Sequence, residues 1–256
     1  MFNRPRIIPV LLIDDRDLIK TINFRNPTYL GDPVNALKIF NRKGIDEMIV
    51  LDISASKKGR EPDFELLADM ASEAFMPLSY GGGIKNIDQV KKLLAIGYEK
   101  VVLNTSLVED EQLVKDAVAL VGSQSVVASI DAKLVKGKYK CVISDGTKVL
   151  DISPVDLVKY AEQLGVGEIF LNSIDRDGMM TGYDIKLIKA VVNAVDIPVI
   201  ACGGAGGIFD LKDALQNGHA HAAAGGSMFV FYGRLKAVLI TAPTEEDLTK
   251  IGIYTE

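Results

Sequence analysis

The segments PLSYGGGI, residues 77–84, and PVIACGGA, residues 198–205, decide how this chain reads. Each is a short apolar run opened by a proline and closed by consecutive glycines, and they lie 121 positions apart. The same spacing carries Pro33-Val34 onto Pro154-Val155, Lys38 onto Lys159, Gly44 onto Gly165, Glu47 onto Glu168 and Gly97 onto Gly218. Nine identities in one unbroken register, several of them Gly or Pro with particular backbone roles, mark an internal duplication. The period is far too long for a solenoid. Two halves follow, about 1–121 and 122–242.

On both sides of these segments, short β-rich apolar runs alternate with stretches of helical period. Strands are expected at Ile7 to Ile13, Met48 to Asp52, Pro77 to Tyr80, Lys100 to Leu103, Val126 to Asp131, Glu168 to Asn172, Pro198 to Ala201 and Ala222 to Ala224. Helices are expected at Pro33 to Lys43, Phe64 to Ala74, Ile87 to Ile96, Glu111 to Val121, Pro154 to Gln163, Asp184 to Val195 and Ile208 to Asn217. Asp32 before Pro33 and Ser153 before Pro154 each set a capping acceptor ahead of a proline at the first helical position. Repeated βα units with nearly continuous apolar strands require parallel strands covered by helices. Eight of them, duplicated four plus four, fit an α/β fold closed as a (β/α)8 TIM barrel. KLVKGKYKCVISDGTKVLDI, after the fifth strand, reads as a β-hairpin on the catalytic face. No linker-like segment divides residues 1–256, so one domain is expected.

Composition narrows the function. With 256 residues, 48% hydrophobic and 25% charged, the chain has enough apolar sequence for one large core. Its formal net charge of -5 disfavours non-specific binding to nucleic acid or to an anionic membrane. Phosphate would have to be held by a local site. The opening MFNRPRIIPVLLIDDRD has an apolar run soon broken by acids, without the pattern of a signal peptide or a membrane span. Two cysteines, Cys141 and Cys202, form neither a disulfide framework nor a zinc spacing, which suits a reducing cytoplasm. The only histidines, His219 and His221, stand at the start of the eighth strand, so neither metal nor cofactor is expected.

In a closed barrel the chemistry gathers where the strands end. Gly82 and Gly83 follow the third strand and Gly203 and Gly204 the seventh. Such glycines let backbone N–H groups approach a phosphate, and the following helix N-terminus adds the positive end of its dipole. Asn104 and Thr105 after the fourth strand and Gly226 and Ser227 after the eighth are their neighbours. The expectation is a phosphorylated ligand held at both ends. Carboxylates converge on the same mouth: Asp52, Asp131, and Asp175 and Asp177 in NSIDRDG before Gly178. An acid so placed serves as general acid or base when its neighbours move its pKa. Arg6, Glu47, Lys100 and Glu168 stand instead at strand starts, where they form either a solvated rim or a ring of ion pairs across the barrel floor.

These residues resemble, over about nine tenths of the chain, the HisF family, the cyclase subunit of imidazole glycerol phosphate synthase. The segments that carry the likeness are RIIP, Lys20 with Asn23-Phe24, GDPV, LDISAS, GGGI, KVVLNTS, GSQSVV with IDAK, GEIFLNSIDRDG with GYD, and IPVIACGGAG. The resemblance implies two phosphate sites for an elongated bisphosphate. It also implies a HisH-type glutaminase partner docked on the bottom face, in a heterodimer that passes ammonia through the barrel. Arg6, Glu47, Lys100 and Glu168 match the family's ammonia gate. Of the family's two catalytic aspartates, at the ends of strands one and five, Asp131 matches the second, but Leu12 occupies the position of the first. Asp14, two residues on, is the candidate stand-in.

Other departures fall in the same mouth. Asp14 occupies a position that is usually lysine and Arg16 one that is usually glycine; Asn172 and Cys202 replace a threonine and a serine, and Met179-Met180 alters the loop after strand six. The RPRIIP start, NSIDRDGMMTGYD and the tail SMFVFYGRLKAVLI resemble a divergent HisF-like branch linked to amidino groups on surface-polysaccharide sugars. Three expectations follow. The chain is an ammonia-using synthase subunit for histidine and purine metabolism acting on a phosphorylated sugar-type ligand, against which Leu12 stands; or a diverged synthase or ammonia-channelling subunit for sugar amidination, favoured by Leu12 and the tail; or a barrel that only activates a glutaminase.

Overall fold

The computed structural model describes residues 4–254. Eight parallel strands close on themselves: β1 (Arg6–Asp14), β2 (Met48–Asp52), β3 (Leu78–Gly81), β4 (Lys100–Leu103), β5 (Val126–Val135), β6 (Glu168–Ser173), β7 (Val199–Cys202) and β8 (Ala222–Gly225). Each pairs with the next in sequence, β8 returns to β1, and the pairing of β5 with β6 joins the halves. This is the closed (β/α)8 barrel expected. Every expected strand lies within two residues of an observed one at its start. The largest difference is β5, which runs on to Val135 because its end pairs antiparallel with Lys138–Ile143 in the expected hairpin.

The helices form the outer layer: α1 (Pro33–Asn41), α2 (Phe64–Ser72), α3 (Ile87–Ala95), α4 (Glu111–Val121), α5 (Pro154–Gln163), α6 (Ile185–Val192) and α7 (Ile208–Gln216). Asp32 accepts the backbone N–H of Asn35 and Ser153 that of Asp156, so both proline-led helices begin with the caps read from sequence. Each helix turns one apolar stripe inward; in α1 the stripe is Pro33, Ala36, Leu37 and Phe40. A second, separate core fills the barrel itself. Ile8, Val10, Ile49, Val102, Val127 and Phe170 meet there with Ile200, Ala222 and Ala224. The two alanines of β8 leave room for the ring of Phe170, so the interior is packed rather than hollow.

Strand register refines the duplication. Leu12 lies opposite Leu51, and Asp131 lies opposite Asn172. Leu51 and Asn172 keep the 121-residue spacing, whereas their partners Leu12 and Asp131 stand 119 apart. Ser79 faces Lys100 and Ile200 faces Ala222, which sets the spacing of β4 and β8 at 122. The backbone agrees: Asn104 (φ -113, ψ -78) and Gly226 (φ -109, ψ -68) have nearly the same conformation. Leu12 and Asp131 are therefore structural counterparts.

Elements absent from the sequence reading lie in the loops. After β1 the chain makes a hairpin, Asp17–Ile22 against Arg25–Gly31, with Asn23, Phe24 and Asn26 at positive φ. Short helices at Ala55–Lys58, Thr105–Glu109 and Ser227–Val230 follow β2, β4 and β8. The tail forms a small hairpin, Phe231–Tyr232 with Ala237–Val238, and a last helix, α8 (Glu245–Lys250). Among the described residues no helix is long and apolar enough to cross a membrane.

Candidate functional site

The inward side chains at the top of the strands border a cavity of about 990 Å³, its open entrance included. That is the size range of small-molecule sites. Asp131 lies at its base, 9% exposed, with Asn104 Nδ2 donating to its carboxylate at 3.3 Å. Burial in this apolar setting, reinforced by the negative charge of Asp177, pushes the Asp131 carboxyl up to about 7, against the hydrogen bonding of Asn172. A carboxyl poised there exchanges protons readily near neutral pH.

Lys20, from the first hairpin, is almost fully buried and reaches across the mouth. Its Nζ donates to Asp177 Oδ1 and to the carbonyl of Thr21, each at 2.8 Å, while Thr21 Oγ1 donates to Asp177 Oδ2 at 3.3 Å. Gly226 accommodates the lysine stem, since a Cβ there would stand 2.8 Å from Lys20 Cε. The hairpin is tied down further by Asn23, whose N–H donates to the Asp177 carbonyl and whose side chain donates to Ile174. Lys20 and Asp177 are thus a fixed ion pair between the loops after β1 and β6.

The glycine turns serve two purposes. Gly82 (φ 127) and Gly203 (φ 91) have conformations that favour glycine, and a Cβ on either would strike a carbonyl, that of Asp52 at 2.4 Å or of Ser173 at 2.6 Å. Neighbouring backbones come so close that glycine is required before any ligand is considered. The helix ends behind the turns are already capped. Gln89 accepts the N–H groups of Lys85 and Asn86, and Asp210 those of Gly206 and Gly207. An anion would therefore meet the loop N–H groups ahead of the helices rather than a bare helix end.

The cavity brings together Lys20, Asp52, Gly82, Gly83, Asn104, Thr105, Asp131, Asp177 and Gly226 from the expected set. It does not bring in Gly178, Gly203, Gly204 or Ser227. Gly204 sits under the loop after β6, where the Gly182 N–H donates to its carbonyl, and Ser227 is buried. Gly178 packs against the backbone of Thr21 and Ile22. Asp52 lines the wall but is already engaged, accepting from Ser54 and Ala55 at the start of the short helix after β2. Asp14 turns outward. Lys58 donates to it at 3.0 Å and, although partial burial opposes ionisation, hydrogen bonds from Lys58 and Ser54 hold its carboxyl below the usual range. Leu12, by contrast, faces the cavity with its apolar side chain. Burial pushes the Cys202 thiol up to about 12, which makes it a neutral wall group rather than a nucleophile.

Sequence reasoning did not single out Asp145. It stands in the loop of the hairpin that continues β5, yet it lines the same cavity as Asp131. The Asp-Gly pair at 145–146 signals a tight turn, but nothing in a hairpin pattern tells which way such a turn folds.

At the opposite end, the four charged residues at the strand starts form one closed ring. Lys100 Nζ donates to Glu47 Oε1 and Glu168 Oε2, each at 2.9 Å, and Arg6 bridges the same two glutamates with both terminal nitrogens. Ser79 Oγ adds a bond to Glu47 at 3.2 Å. The glutamates are only 3% and 5% exposed, which rules out a solvated rim. Above this ring the barrel is lined by the apolar core described above.

The family described as "Histidine biosynthesis protein" matches residues 6–236. A protein of Pseudomonas aeruginosa, with the provisional name of imidazole glycerol phosphate synthase subunit hisF2, is 47% identical over 98% of this chain and 99% of its own length. One from Leptospira interrogans, provisionally named subunit HisF of the same synthase, is 47% identical over 95% of the chain and 97% of its own. One from Vibrio vulnificus, provisionally subunit hisF3, is 43% identical over 96% of each. With the closed barrel, these matches place the chain in the HisF family of imidazole glycerol phosphate synthase subunits.

Proposed function

We propose that this chain is the ammonia-using synthase subunit of a glutamine-dependent enzyme. A HisH-type glutaminase docks on the bottom face and releases ammonia, which crosses the barrel floor at Arg6, Glu47, Lys100 and Glu168 and reaches a phosphorylated sugar-type ligand beside Asp131. The observation that carries this reading is the pairing of a closed ion ring below with a near-neutral carboxyl above, across an apolar interior. Ammonia is small and neutral, so small shifts of the packed apolar side chains would let it cross while ammonium and other ions are disfavoured. Gly83, Asn104 and Thr105 would hold one phosphate; Gly204, Gly226 and Ser227 would take the other once the loop after β6, which carries Gly178, rearranges.

The test uses the isolated chain with ammonium chloride and the phosphorylated substrate of imidazole glycerol phosphate synthase. The reading expects the imidazole product, and its absence at saturating ammonium overturns the cyclase assignment. Leu12 favours a second reading, in which the chain passes ammonia on for amidination of a surface-polysaccharide sugar and closes no ring. That alternative expects no imidazole product and no growth of a cyclase-deficient strain without histidine, but a glutaminase activity coupled to an amidinated product.

A further inference from the structure

The cavity is lined by a further carboxylate besides Asp131, that of Asp145, whose one ion-pair partner among the described residues is distant. Asp145 lies in the turn after Lys138–Ile143, and that turn is pinned on two sides. The Ser144 N–H donates to Thr105 Oγ1 at 3.3 Å, and a Cβ on Gly146 would stand 3.1 Å from the ring of Phe24 in the first hairpin. The Thr147 N–H closes the turn on the Ser144 carbonyl, with Asp145 and Gly146 at φ 56 and 75. Those angles fit a type I′ turn, which accepts Asn as readily as Asp before its glycine. The turn therefore explains a short polar residue at this position but not its charge.

We propose that Asp145 is the second proton-transfer carboxylate of this mouth, sharing with Asp131 the work for which Leu12 offers no group. The assignment rests on the ammonia-using reading given above. A second observation points to an unmet polar group in the wall of the same cavity. Asn172 Oδ1, on the strand next to Asp131, is buried, has no hydrogen-bond partner and borders the same cavity, so it requires an N–H or O–H donor. The side chain of Asp145 is 20% exposed, and its nearest cation is Lys57 at 3.9 Å, itself largely in solvent. Burial pushes the Asp145 carboxyl up to about 6, Lys57 opposes that, and Asp14 adds to it; Asp145 in turn helps raise Asp131. In the step assigned to the pair, ammonia bonds to a carbonyl carbon as the C=O electron pair moves to oxygen. One carboxyl, in its acid form, protonates that oxygen, and the other, ionised, takes a proton from nitrogen. The proton count of the pair is unchanged and nothing is oxidised or reduced.

Asp145→Asn tests this because it removes the charge and keeps the turn. In ammonium-driven turnover of the synthase substrate, kcat is expected to fall ~10²-fold or more with KM nearly unchanged. Asp145→Glu should restore part of the loss, and one limb of the kcat–pH profile should vanish in Asp145→Asn. Unchanged kcat and profile overturn the proposal while leaving the synthase reading intact. If the wild-type chain does not turn over at all, the synthase reading fails instead. Aspartate carboxyl titration by NMR then decides on Asp145: coupling, seen as a lower Asp131 midpoint in Asp145→Asn, supports the pair, and an unmoved midpoint overturns it.

Discussion

Asp131 carries a cost that the fold tolerates. Its carboxyl is raised from the ordinary aspartate value of about 3.9 to about 7 by burial and by Asp177. The folded chain therefore holds that proton more tightly than the unfolded chain does. Stability from this group is complete below about pH 4 and is lost as pH rises through about 7. Asp131→Asn should accordingly raise the melting temperature at pH 8 by several degrees, with ~1.4 kcal/mol at stake per unit of pKa shift, and the gain should shrink toward pH 4. A gain independent of pH would contradict the assignment. Asp131 was legible in the sequence because it ends a β-rich run, where barrel chemistry collects. Asp145 was not, because its place depends on a hairpin folding back over the mouth onto Phe24, a contact between loops far apart in sequence. The outward turn of Asp14 was equally invisible: residue alternation puts it on the face of Leu12, but Lys58 draws it aside.

Among the elements, the glycine turns and the ion ring make separate demands. Gly82→Ala and Gly203→Ala should each destabilise the chain by about 1–3 kcal/mol in chemical denaturation, since φ is positive and the new Cβ meets a carbonyl. Wild-type stability in both variants would show that the neighbouring strands yield freely. Lys100→Met leaves two buried glutamates to share Arg6 alone. Breaking such a buried pair costs about 3–5 kcal/mol, so a clear loss of stability is expected; an unaffected denaturation midpoint would mean that the ring is solvated after all. The strands and helices themselves were legible because each carries its own period and cap. The first hairpin was not, since DLIKTINFRNPTYLG mixes charge, Pro27 and three left-handed residues and shows no sustained alternation.

Across the whole molecule, the duplication holds in the framework and gives way at the chemistry. The spacing is 121 residues on β2, β3, β6 and β7, 119 on β1 and β5, and 122 on β4 and β8, as the loops between them differ in length. The shift on β1 and β5 makes Leu12 the counterpart of Asp131, so the site is asymmetric in a barrel that is otherwise two-fold. The second half keeps its glycine turn covered by the loop after β6, while the first half opens its turn to the cavity. If ammonia made by a glutaminase crosses the ion ring to be used at the top, the source of the product nitrogen reports it. The measurement uses the complex of the two subunits, given glutamine labelled with ¹⁵N at the amide in excess unlabelled ammonium. Product nitrogen should come mainly from glutamine in the wild-type complex and fall toward the bulk ammonium ratio in Lys100→Met. Product labelled at the bulk ratio in the wild type, or labelling unchanged in Lys100→Met, would contradict passage through the ring.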